Sequence, residues 1–562
     1  MEPMKLYEQW LKDFADDAET VQDLLAIKDD PKEIEDRFYR DLEFGTAGMR
    51  GVLGAGTNRL NKYNVRRVSR ALAKYILTNE GGAEKGVAIA YDSRRKSTEF
   101  AKEAALVLCA AGIRVFLYES LRPVPVLSFT VRHLRCIAGI VITASHNPAQ
   151  YNGYKVYWTD GAQMPPESVK GITDRLPDTS FAESIPMDEK EALDKGLLTY
   201  IGKDVDDAYI AAVKKLSVNP ELAKEMGETL KIVYTPLHGS GNLPVRRIFD
   251  EIGMKHVYVV KEQELPDGEF PTVKVPNPED PAAFTLALQM QKELGADLCV
   301  GTDPDCDRCG TAVRGADGEY VLLSGNEMGL LLLDFVCAMR SASGTMPADP
   351  LFIKTIVTTD LAERIAASYG VKTMNVLTGF KFIGEQIGLL EEKGEEDRYV
   401  FGFEESYGYL SGTYVRDKDA VDAAFLIAEM FAYYKSRGIS LQQKLDELYA
   451  ACGHELNSLR SYEFEGSAGF KKMQDIMAAF RGDVKAVGGK AVLQIRDYAA
   501  GLDGLPKSDV IKFILADDCS VVVRPSGTEP KLKCYVSVTA KDRAEAVAVV
   551  EAIYSDLAHY ME

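Results

Sequence analysis

The stretch IAGIVITASHNP, residues 137–148, carries most of the information about the fold. Its first six residues are apolar, which predicts a buried strand over 137–142. Ser145 follows almost at once, and Asn147-Pro148 is a dipeptide typical of turns. A hydroxyl at the end of a buried strand is well placed to carry a covalent group, so we predict that Ser145 is a functional residue.

An alternation of apolar strands and amphipathic helices recurs along most of the chain. It is predicted over residues 63–118, over 231–301 and over 351–402, and it indicates parallel or mixed sheets covered by helices. Residues 509–560 differ, because two or three predicted strands precede a single helix. We therefore predict an α/β protein with three α/β domains and a smaller C-terminal α+β domain. The predicted domains are residues 1–200, 201–325, 326–450 and 451–562.

Composition excludes several classes of protein. A chain of 562 residues is too long for one hydrophobic core, and a net charge of −19 argues against a nucleic-acid surface. There is no apolar run of about 18 residues that would span a membrane, and residues 1–5, MEPMK, lack the apolar core of a signal sequence. Nine scattered cysteines indicate reduced thiols. We expect a cytoplasmic protein that binds neither nucleic acid nor membranes.

Three aspartates in the segment GTDPDCDR, residues 301–308, form a candidate metal site. Pro304 favours an extended backbone at Asp303, and residues two apart on an extended segment point the same way, so the carboxylates of Asp303, Asp305 and Asp307 are expected to converge. Hard oxygen ligands favour Mg²⁺ or Mn²⁺. An EF-hand is excluded because Arg308 and Arg314 stand at its glycine and glutamate positions, and a solvated acidic turn is the simpler alternative.

Three further segments contain residues suited to sugars and phosphates. Arg524-Pro525-Ser526-Gly527-Thr528 combines a guanidinium, two hydroxyls and a flexible turn, which suits a phosphate. Glu404 and Ser406, in the segment 402–406, have the groups needed to bind vicinal sugar hydroxyls. Arg50 lies in the glycine-rich segment 44–51, which is not a P-loop because it lacks Gly-Lys-Ser/Thr. Ordinary turns and solvated side chains are the alternative interpretation of each.

Taken together, these motifs resemble the α-D-phosphohexomutase family, and within it the phosphoglucomutases with a long N-terminal region. The resemblance covers nearly the whole chain. It consists of four motifs in the family's order, which are TASHNP around Ser145, the aspartate motif at 303–308, GFEES at 402–406 and RPSGTEP at 524–530. It implies a heart-shaped architecture of four domains with one motif in each.

The resemblance also implies a role for each motif. Ser145 would carry a phosphoryl group, and Asp303, Asp305 and Asp307 would hold one Mg²⁺ ion together with an oxygen of that phosphoserine. Arg50 and Arg308 would position the transferring group. Lys155 would move protons, with His146 as a second candidate base. Substrate would be bound by residues of the third and fourth domains, namely Gly379, Lys381, Glu404, Ser406, Arg524, Ser526, Gly527 and Thr528.

The reaction implied by the resemblance interconverts glucose 1-phosphate and glucose 6-phosphate. It would proceed through glucose 1,6-bisphosphate, which would also be the activator, in a monomer or weak homodimer. Tyr407 follows Ser406 where hexomutases of dual specificity often have a histidine. Phosphomannomutase, phosphopentomutase and glucose 1,6-bisphosphate synthase activities therefore stay open, and a non-catalytic sugar-phosphate-binding protein is a further alternative. A phosphatase with Asp303 as nucleophile is an alternative of another class, although such enzymes have Thr or Val where Asp307 stands.

Overall fold

A computed structural model describes residues 2–45, 48–315, 318–464, 466–526 and 531–561. The chain begins with three helices that the sequence analysis did not single out. They are α1 (Pro3–Asp13), α2 (Ala18–Ala26) and α3 (Pro31–Phe38). Asp30 begins the third by accepting hydrogen bonds from the backbone of Lys32 and Glu33. Tyr7, Trp10 and Phe38 pack edge to face between these helices.

The first α/β unit contains a six-stranded sheet of order β1-β5-β4-β2-β3-β6. Strands β2, β3, β4 and β6 are parallel, whereas β5 runs antiparallel to β4 and to β1. Because helices cover both faces, β2 and β4 are buried at every position. The elements are β1 (Gly48–Val52), α4 (Lys62–Ile76), α5 (Gly82–Lys85), β2 (Val87–Tyr91), α6 (Ser97–Ala110), β3 (Val115–Tyr118), α7 (Val124–His133), β4 (Ala138–Ile142), β5 (Tyr151–Tyr157), α8 (Pro166–Thr173), α9 (Glu189–Asp194) and β6 (Leu198–Ile201).

The second unit contains a five-stranded sheet of order β11-β10-β9-β7-β8. Strand β7 is parallel to β8 and β9, and β10 turns back antiparallel to β9. The elements are α10 (Lys203–Lys214), α11 (Pro220–Gly227), β7 (Lys231–Thr235), α12 (Asn242–Glu251), β8 (His256–Val259), α13 (Lys261–Glu264), a 3₁₀ turn (Pro281–Phe284), α14 (Thr285–Leu294), β9 (Leu298–Thr302), β10 (Cys309–Arg314) and β11 (Tyr320–Leu323).

The third unit contains a four-stranded sheet of order β13-β12-β14-β15. Its elements are α15 (Gly325–Ser343), β12 (Leu351–Thr355), α16 (Leu361–Ser368), β13 (Lys372–Val376), α17 (Phe380–Glu392), a 3₁₀ turn (Glu396–Arg398), β14 (Tyr399–Glu404), β15 (Gly408–Leu410), α18 (Ala420–Ser436) and α19 (Leu441–Cys452). One continuous apolar cluster joins the first three units, so these units share a core.

The fourth unit contains a six-stranded antiparallel sheet of order β16-β21-β20-β19-β18-β17 with its own core. It contacts the third unit through a smaller apolar cluster that includes Ile356, Val357 and Tyr535. Its elements are β16 (His454–Glu463), α20 (Gly466–Phe480), β17 (Ala486–Val487), β18 (Lys490–Asp497), β19 (Ile511–Leu515), β20 (Cys519–Pro525), β21 (Lys531–Ala540) and α21 (Arg543–Met561).

The predicted fold class, three α/β units followed by a smaller α+β unit, is confirmed. All nine cysteines are unpaired, as the scattered pattern predicted. Within the part of the chain that the structure describes, every helix is too short or too polar to cross a bilayer.

We expect the aromatic cluster to attach the N-terminal helices to the first unit. Phe38 is fully buried and lies 5.7 Å from the ring of Trp10. We expect Phe38→Ala to lower the free energy of local opening of residues 3–38 by about 3 kcal/mol, because it removes a buried ring. Hydrogen–deuterium exchange of these helices measures the effect. Leu25→Ala, at a side chain that is 49% exposed, is the control, and equal exchange in both variants would contradict this account.

Candidate active site

The three aspartates converge in the loop between β9 and β10. One carboxylate oxygen of each lies within 4.8 Å of the other two, and all three residues are buried. The predicted convergence is therefore confirmed, but the predicted extended backbone is wrong. The loop is a tight turn, in which the Cys306 backbone donates to the Asp303 carbonyl at 2.9 Å and Cys306 has a left-handed φ of 53°. The turn, and not the alternation of an extended strand, brings the carboxylates together.

This aspartate loop is held by backbone contacts from the first three units. Val124 at the start of α7 donates to the Asp305 carbonyl at 2.9 Å, and Ala420 at the start of α18 donates to the Cys306 carbonyl at 3.2 Å. From the second unit, Ser240 donates to the Pro304 carbonyl through both its backbone nitrogen and its hydroxyl, each at 2.8 Å. A Cβ on the neighbouring Gly239 would lie 2.5 Å from Pro304 Cα, so only glycine permits this approach.

Ser145 belongs to the loop after β4 and reaches the aspartates directly. Its hydroxyl donates to Asp303 Oδ2 at 3.1 Å and lies 3.2 Å from Nδ1 of His146. Its backbone has a φ of 53°, and its N–H donates to the Thr143 hydroxyl at 2.8 Å. Ser145 and the aspartate loop come from different units, and the structure brings them into contact.

Arg94 holds the serine loop in shape, and the sequence analysis did not identify it. Its guanidinium donates to the carbonyls of four loop residues, which are Ser145 at 2.6 Å, Pro148 and Tyr151 at 3.0 Å each, and Asn147. The same group lies 5.0 Å from the ring of Phe270 in the second unit. One buried arginine therefore satisfies the backbone of the whole turn.

Two lysines contact the aspartates. Lys155 Nζ lies 3.2 Å from Asp305 Oδ2, and Lys418 Nζ lies 2.8 Å from Asp307 Oδ2. Lys155 was predicted from the sequence, but Lys418 was not. The available signal was the charged segment Arg416-Asp417-Lys418-Asp419, which precedes a long apolar helix and is buried throughout.

The electrostatics of the aspartates fit a bound cation. Burial, and then the neighbouring carboxylates, raise the pKa of Asp303 well above its usual range. Burial and Asp305 likewise raise the pKa of Asp307. At Asp305, burial is outweighed by Lys155, Asp303 and Lys418 together, and the pKa of Asp305 is lowered. One oxygen of Asp305 and one of Asp307 are buried without a hydrogen-bond partner among the described residues. Hard, crowded oxygen donors with unused lone pairs are the ligands that Mg²⁺ prefers.

Arg308, Arg50 and His146 surround Ser145. Arg308 forms an ion pair with Glu279 from the second unit, and Arg50 donates to Asn147 Oδ1 in the serine loop at 3.1 Å. Burial, and then the charges of Arg308 and Arg50, hold the pKa of His146 well below its usual range. His146 is therefore a neutral imidazole at pH 7, with Nδ1 within reach of the Ser145 hydroxyl.

The sugar-loop candidates lie where β14 turns into β15. Burial raises the pKa of Glu404 to about 7, although the Lys418 ammonium opposes this shift. Ser406 is partly exposed in the turn, and Glu405 accepts from the hydroxyls of Thr355 and Thr358 at 3.3 and 3.2 Å. Glu404 is therefore close to Lys418, while Glu405 is held by the hydroxyls of Thr355 and Thr358.

The remaining predicted substrate residues lie further from the aspartate loop. Gly379, with a φ of 117°, precedes α17, and Lys381 lies 5.0 Å from the ring of Phe382 on that helix. Arg524, near the end of β20, lies 6.0 Å from the Tyr535 ring, and its charge lowers the pKa of Glu405 against the raising effect of burial. The Ser526 backbone N–H donates to the Lys531 carbonyl at 2.7 Å. Gly527 and Thr528 lie outside the described residues.

Comparison with known proteins agrees with these motifs. Four successive segments match the domains described for phosphoglucomutase/phosphomannomutase, with alpha/beta/alpha domains I, II and III at residues 41–183, 207–317 and 324–452, and the C-terminal domain at 468–553. Two solved structures share the fold. One, a phosphoglucomutase/phosphomannomutase family protein of Burkholderia thailandensis, has a TM-score of 0.65 at 20% identity and covers 92% of this chain and 97% of its own. The other, parafusin of Paramecium, has a TM-score of 0.70 at 18% identity and covers 92% and 95%.

Two bacterial relatives are similar in sequence over almost the full length. A phosphoglucomutase of Staphylococcus saprophyticus is 37% identical over 529 residues, which cover 91% of this chain and 93% of the relative. A phosphoglucomutase of Staphylococcus aureus is 36% identical over 538 residues, which cover 93% and 94%. The family resemblance predicted from the motifs is confirmed, and the chain belongs to the phosphoglucomutase/phosphomannomutase family.

Proposed function

We propose that this protein is a phosphoglucomutase that interconverts glucose 1-phosphate and glucose 6-phosphate through glucose 1,6-bisphosphate. The observation that carries the proposal is the 3.1 Å contact between the Ser145 hydroxyl and Asp303. It joins a candidate phosphoryl carrier to a candidate metal site from another unit. The relatives named phosphoglucomutase, which align over nine tenths of the chain, support glucose phosphates as substrates.

Asp303, Asp305 and Asp307 would hold one Mg²⁺ ion. When bound, the ion supplies a Lewis acid that polarises the phosphoryl oxygens and offsets their charge. The two unpartnered carboxylate oxygens and the burial of all three residues support this role. Arg308 and Arg50 would add positive charge near the group, since the charges of both act on His146 and Arg50 donates to Asn147 in the serine loop.

The reaction is a transfer of one phosphoryl group in each direction. The bond between phosphorus and Ser145 Oγ breaks, a bond from phosphorus to the free sugar hydroxyl forms, and the hydroxyl proton goes to a base. The resulting bisphosphate turns in the cleft. Its other phosphoryl group then returns to Ser145, and the oxygen it leaves takes up a proton. Because charge is spread over the transferring oxygens, positioning and electrostatic stabilisation supply most of the rate.

Lys155, Lys418 and His146 are the candidate proton carriers. His146 is neutral and can accept a proton. Burial lowers the pKa of Lys418, but the carboxylates of Asp307, Asp417 and Glu404 together outweigh burial and raise that pKa, so Lys418 carries a proton at neutral pH. Lys155 contacts Asp305, whereas Lys418 contacts Asp307. Two lysines on different carboxylates of the aspartate loop suit a reaction in which the two ends of one sugar exchange places.

The substrate's other groups would bind to the third and fourth units. Glu404 and Ser406 would bind sugar hydroxyls, and Lys381 with the Gly379 turn would recognise the sugar from α17. The group that does not react, a phosphate, would bind to Arg524, Ser526, Gly527 and Thr528.

We further propose domain boundaries near residues 200, 325 and 450, activation by glucose 1,6-bisphosphate, a monomer or weak homodimer, and a cytoplasmic location.

Removal of the Ser145 hydroxyl tests the phosphoryl carrier. We expect Ser145→Ala to lower kcat for glucose 1-phosphate by more than about four orders of magnitude, the scale observed when a covalent nucleophile is removed. After incubation with glucose 1,6-bisphosphate, the intact mass of the wild type should include one added phosphoryl group, and that of the Ser145→Ala variant should not. Ser436→Ala, at an exposed site, is the control. Near-normal turnover by the Ser145 variant would refute the proposal, and parallel assays with mannose and ribose phosphates test the sugar.

Removal of a carboxylate tests the metal site. We expect Asp305→Asn to weaken Mn²⁺ binding, measured by titration calorimetry, and to lower kcat by about a thousand-fold, because a charged hard ligand is lost. Excess EDTA should stop the wild-type enzyme, and added Mg²⁺ should restore it. Asp250→Asn on the exposed face of α12 is the control. Unchanged Mn²⁺ binding by Asp305→Asn would exclude this loop as the site.

Substitution of Lys418 by arginine tests its role in proton transfer. Lys418→Arg keeps the charge beside Asp307, but a guanidinium does not release its proton at neutral pH. We expect kcat to fall by about two to four orders of magnitude with little loss of thermal stability. Lys393→Arg, at an exposed lysine, is the control. A Lys418→Arg variant with wild-type kcat would limit Lys418 to a structural ion pair.

A further inference from the structure

Arg308 forms an ion pair with a glutamate that lies outside the aspartate loop. Its Nη1 atom forms an ion pair with Glu279 Oε1, and its own side chain is only 15% exposed. Its Nε atom is buried without a hydrogen-bond partner among the described residues and lies 4.0 Å from Asp307 Oδ1. One edge of the guanidinium is therefore occupied by Glu279, while Nε remains available beside the aspartates.

Glu279 is held in place by a compact turn. The Asp280 backbone donates to the Asn277 carbonyl at 2.9 Å, and the Glu279 backbone donates to Asn277 Oδ1 at 3.1 Å. Pro278 packs against the start of β10, because a Cβ on Gly310 would lie 2.8 Å from Pro278 Cβ. Gly310 is two residues after Arg308, so the turn that carries Glu279 is fixed relative to the backbone that carries Arg308.

We propose that Glu279 is a positioning residue for Arg308. By accepting from Nη1, the carboxylate holds the guanidinium so that its Nε edge faces Asp307 in the candidate metal site. Arginine has a long side chain that would otherwise sample several rotamers, and a fixed second contact removes that freedom before phosphoryl transfer. The inference rests on the proposed function, since it assigns Glu279 an effect on the transferring group.

The position of Arg308 agrees with this assignment. Arg308 lies close enough to influence both the loop of Ser145 and the turn at Glu404, because its charge lowers the pKa of His146 and acts against the burial that raises the pKa of Glu404. A guanidinium in that position contacts the phosphoryl group only if its orientation is fixed. Glu279 itself is 33% exposed, so its substitution leaves the core intact.

The test compares E279A with E279Q in the full-length enzyme, assayed on glucose 1-phosphate with Mg²⁺. A glutamine keeps an oxygen acceptor for Nη1, whereas an alanine removes it. We expect kcat of E279A to fall about ten- to a hundred-fold with KM nearly unchanged, because the contact acts on the transition state. E279Q should recover most of that loss. E262A, at an exposed glutamate of the same unit, is the control.

A double substitution shows whether Glu279 acts through Arg308. If it does, E279A/R308A has the same kcat as R308A, since the contact has no effect without its partner. The inference would be overturned by additive losses of kcat in E279A/R308A, by equal losses in E279A and E279Q, or by a wild-type kcat in E279A.

If thermal melting shows that E279A does not fold, E279D replaces it, because the shorter carboxylate cannot reach Nη1 without a shift of Arg308. An inactive wild type refutes the proposed function and this inference together, whereas an active wild type with an unaffected E279A refutes only the inference.

Discussion

Mutual repulsion of three buried carboxylates is the constraint around which the structure is organised. With all three aspartates ionised, each pair of carboxylate oxygens within 4.8 Å would repel by roughly 4 kcal/mol at an effective dielectric of about 20. This repulsion adds to burial in raising the pKa of Asp303 and of Asp307. Backbone donors at the starts of α7 and α18 reach the loop's carbonyls, and two lysines reach its carboxylates. The positive ends of helices and the ammonium groups lower the cost of the cluster. These contacts also bring the first three units to one point.

The same region stores backbone strain in three loops. Ser145, Cys306 and Tyr407 have left-handed φ values of 53°, 53° and 64°, each of which costs about 1–3 kcal/mol for a residue other than glycine. Specific hydrogen bonds hold each of them. Arg94 binds the Ser145 carbonyl, Ala420 binds that of Cys306, and the Cys309 backbone donates to that of Tyr407 at 3.0 Å. Specific hydrogen bonds therefore fix the backbone of the loops that carry Ser145, the three aspartates and Glu404, which is what catalysis by positioning requires of the proposed site.

The sequence predicted those parts of the site that are local in the chain. The strand before Ser145, the spacing of the three aspartates and the alternating strands and helices all follow from short-range patterns. Arg94, Glu279 and Lys418 were missed, because their roles come from contacts with residues 51, 29 and 111 positions away. The extended course predicted for residues 303–307 is wrong for a related reason. Pro304 restricts only its neighbour, whereas the turn is closed by Cys306, which has a left-handed φ and accepts from the Ala420 backbone.

The fourth unit is linked to the sugar loop through residues 355–360. Glu405 accepts from Thr355 and Thr358, and Asp360 at the other end of this segment accepts from Lys512 at 2.8 and 3.0 Å. Lys512 lies on β19, which pairs with the strand that carries Arg524. Movement of the fourth unit alone would separate Lys512 from Asp360 and leave Asp360 with Lys354 as its ion-pair partner. A rotation of the fourth unit that keeps Asp360 and Lys512 together would instead pivot around this contact, which lies between the Glu405 turn and the strand that carries Arg524.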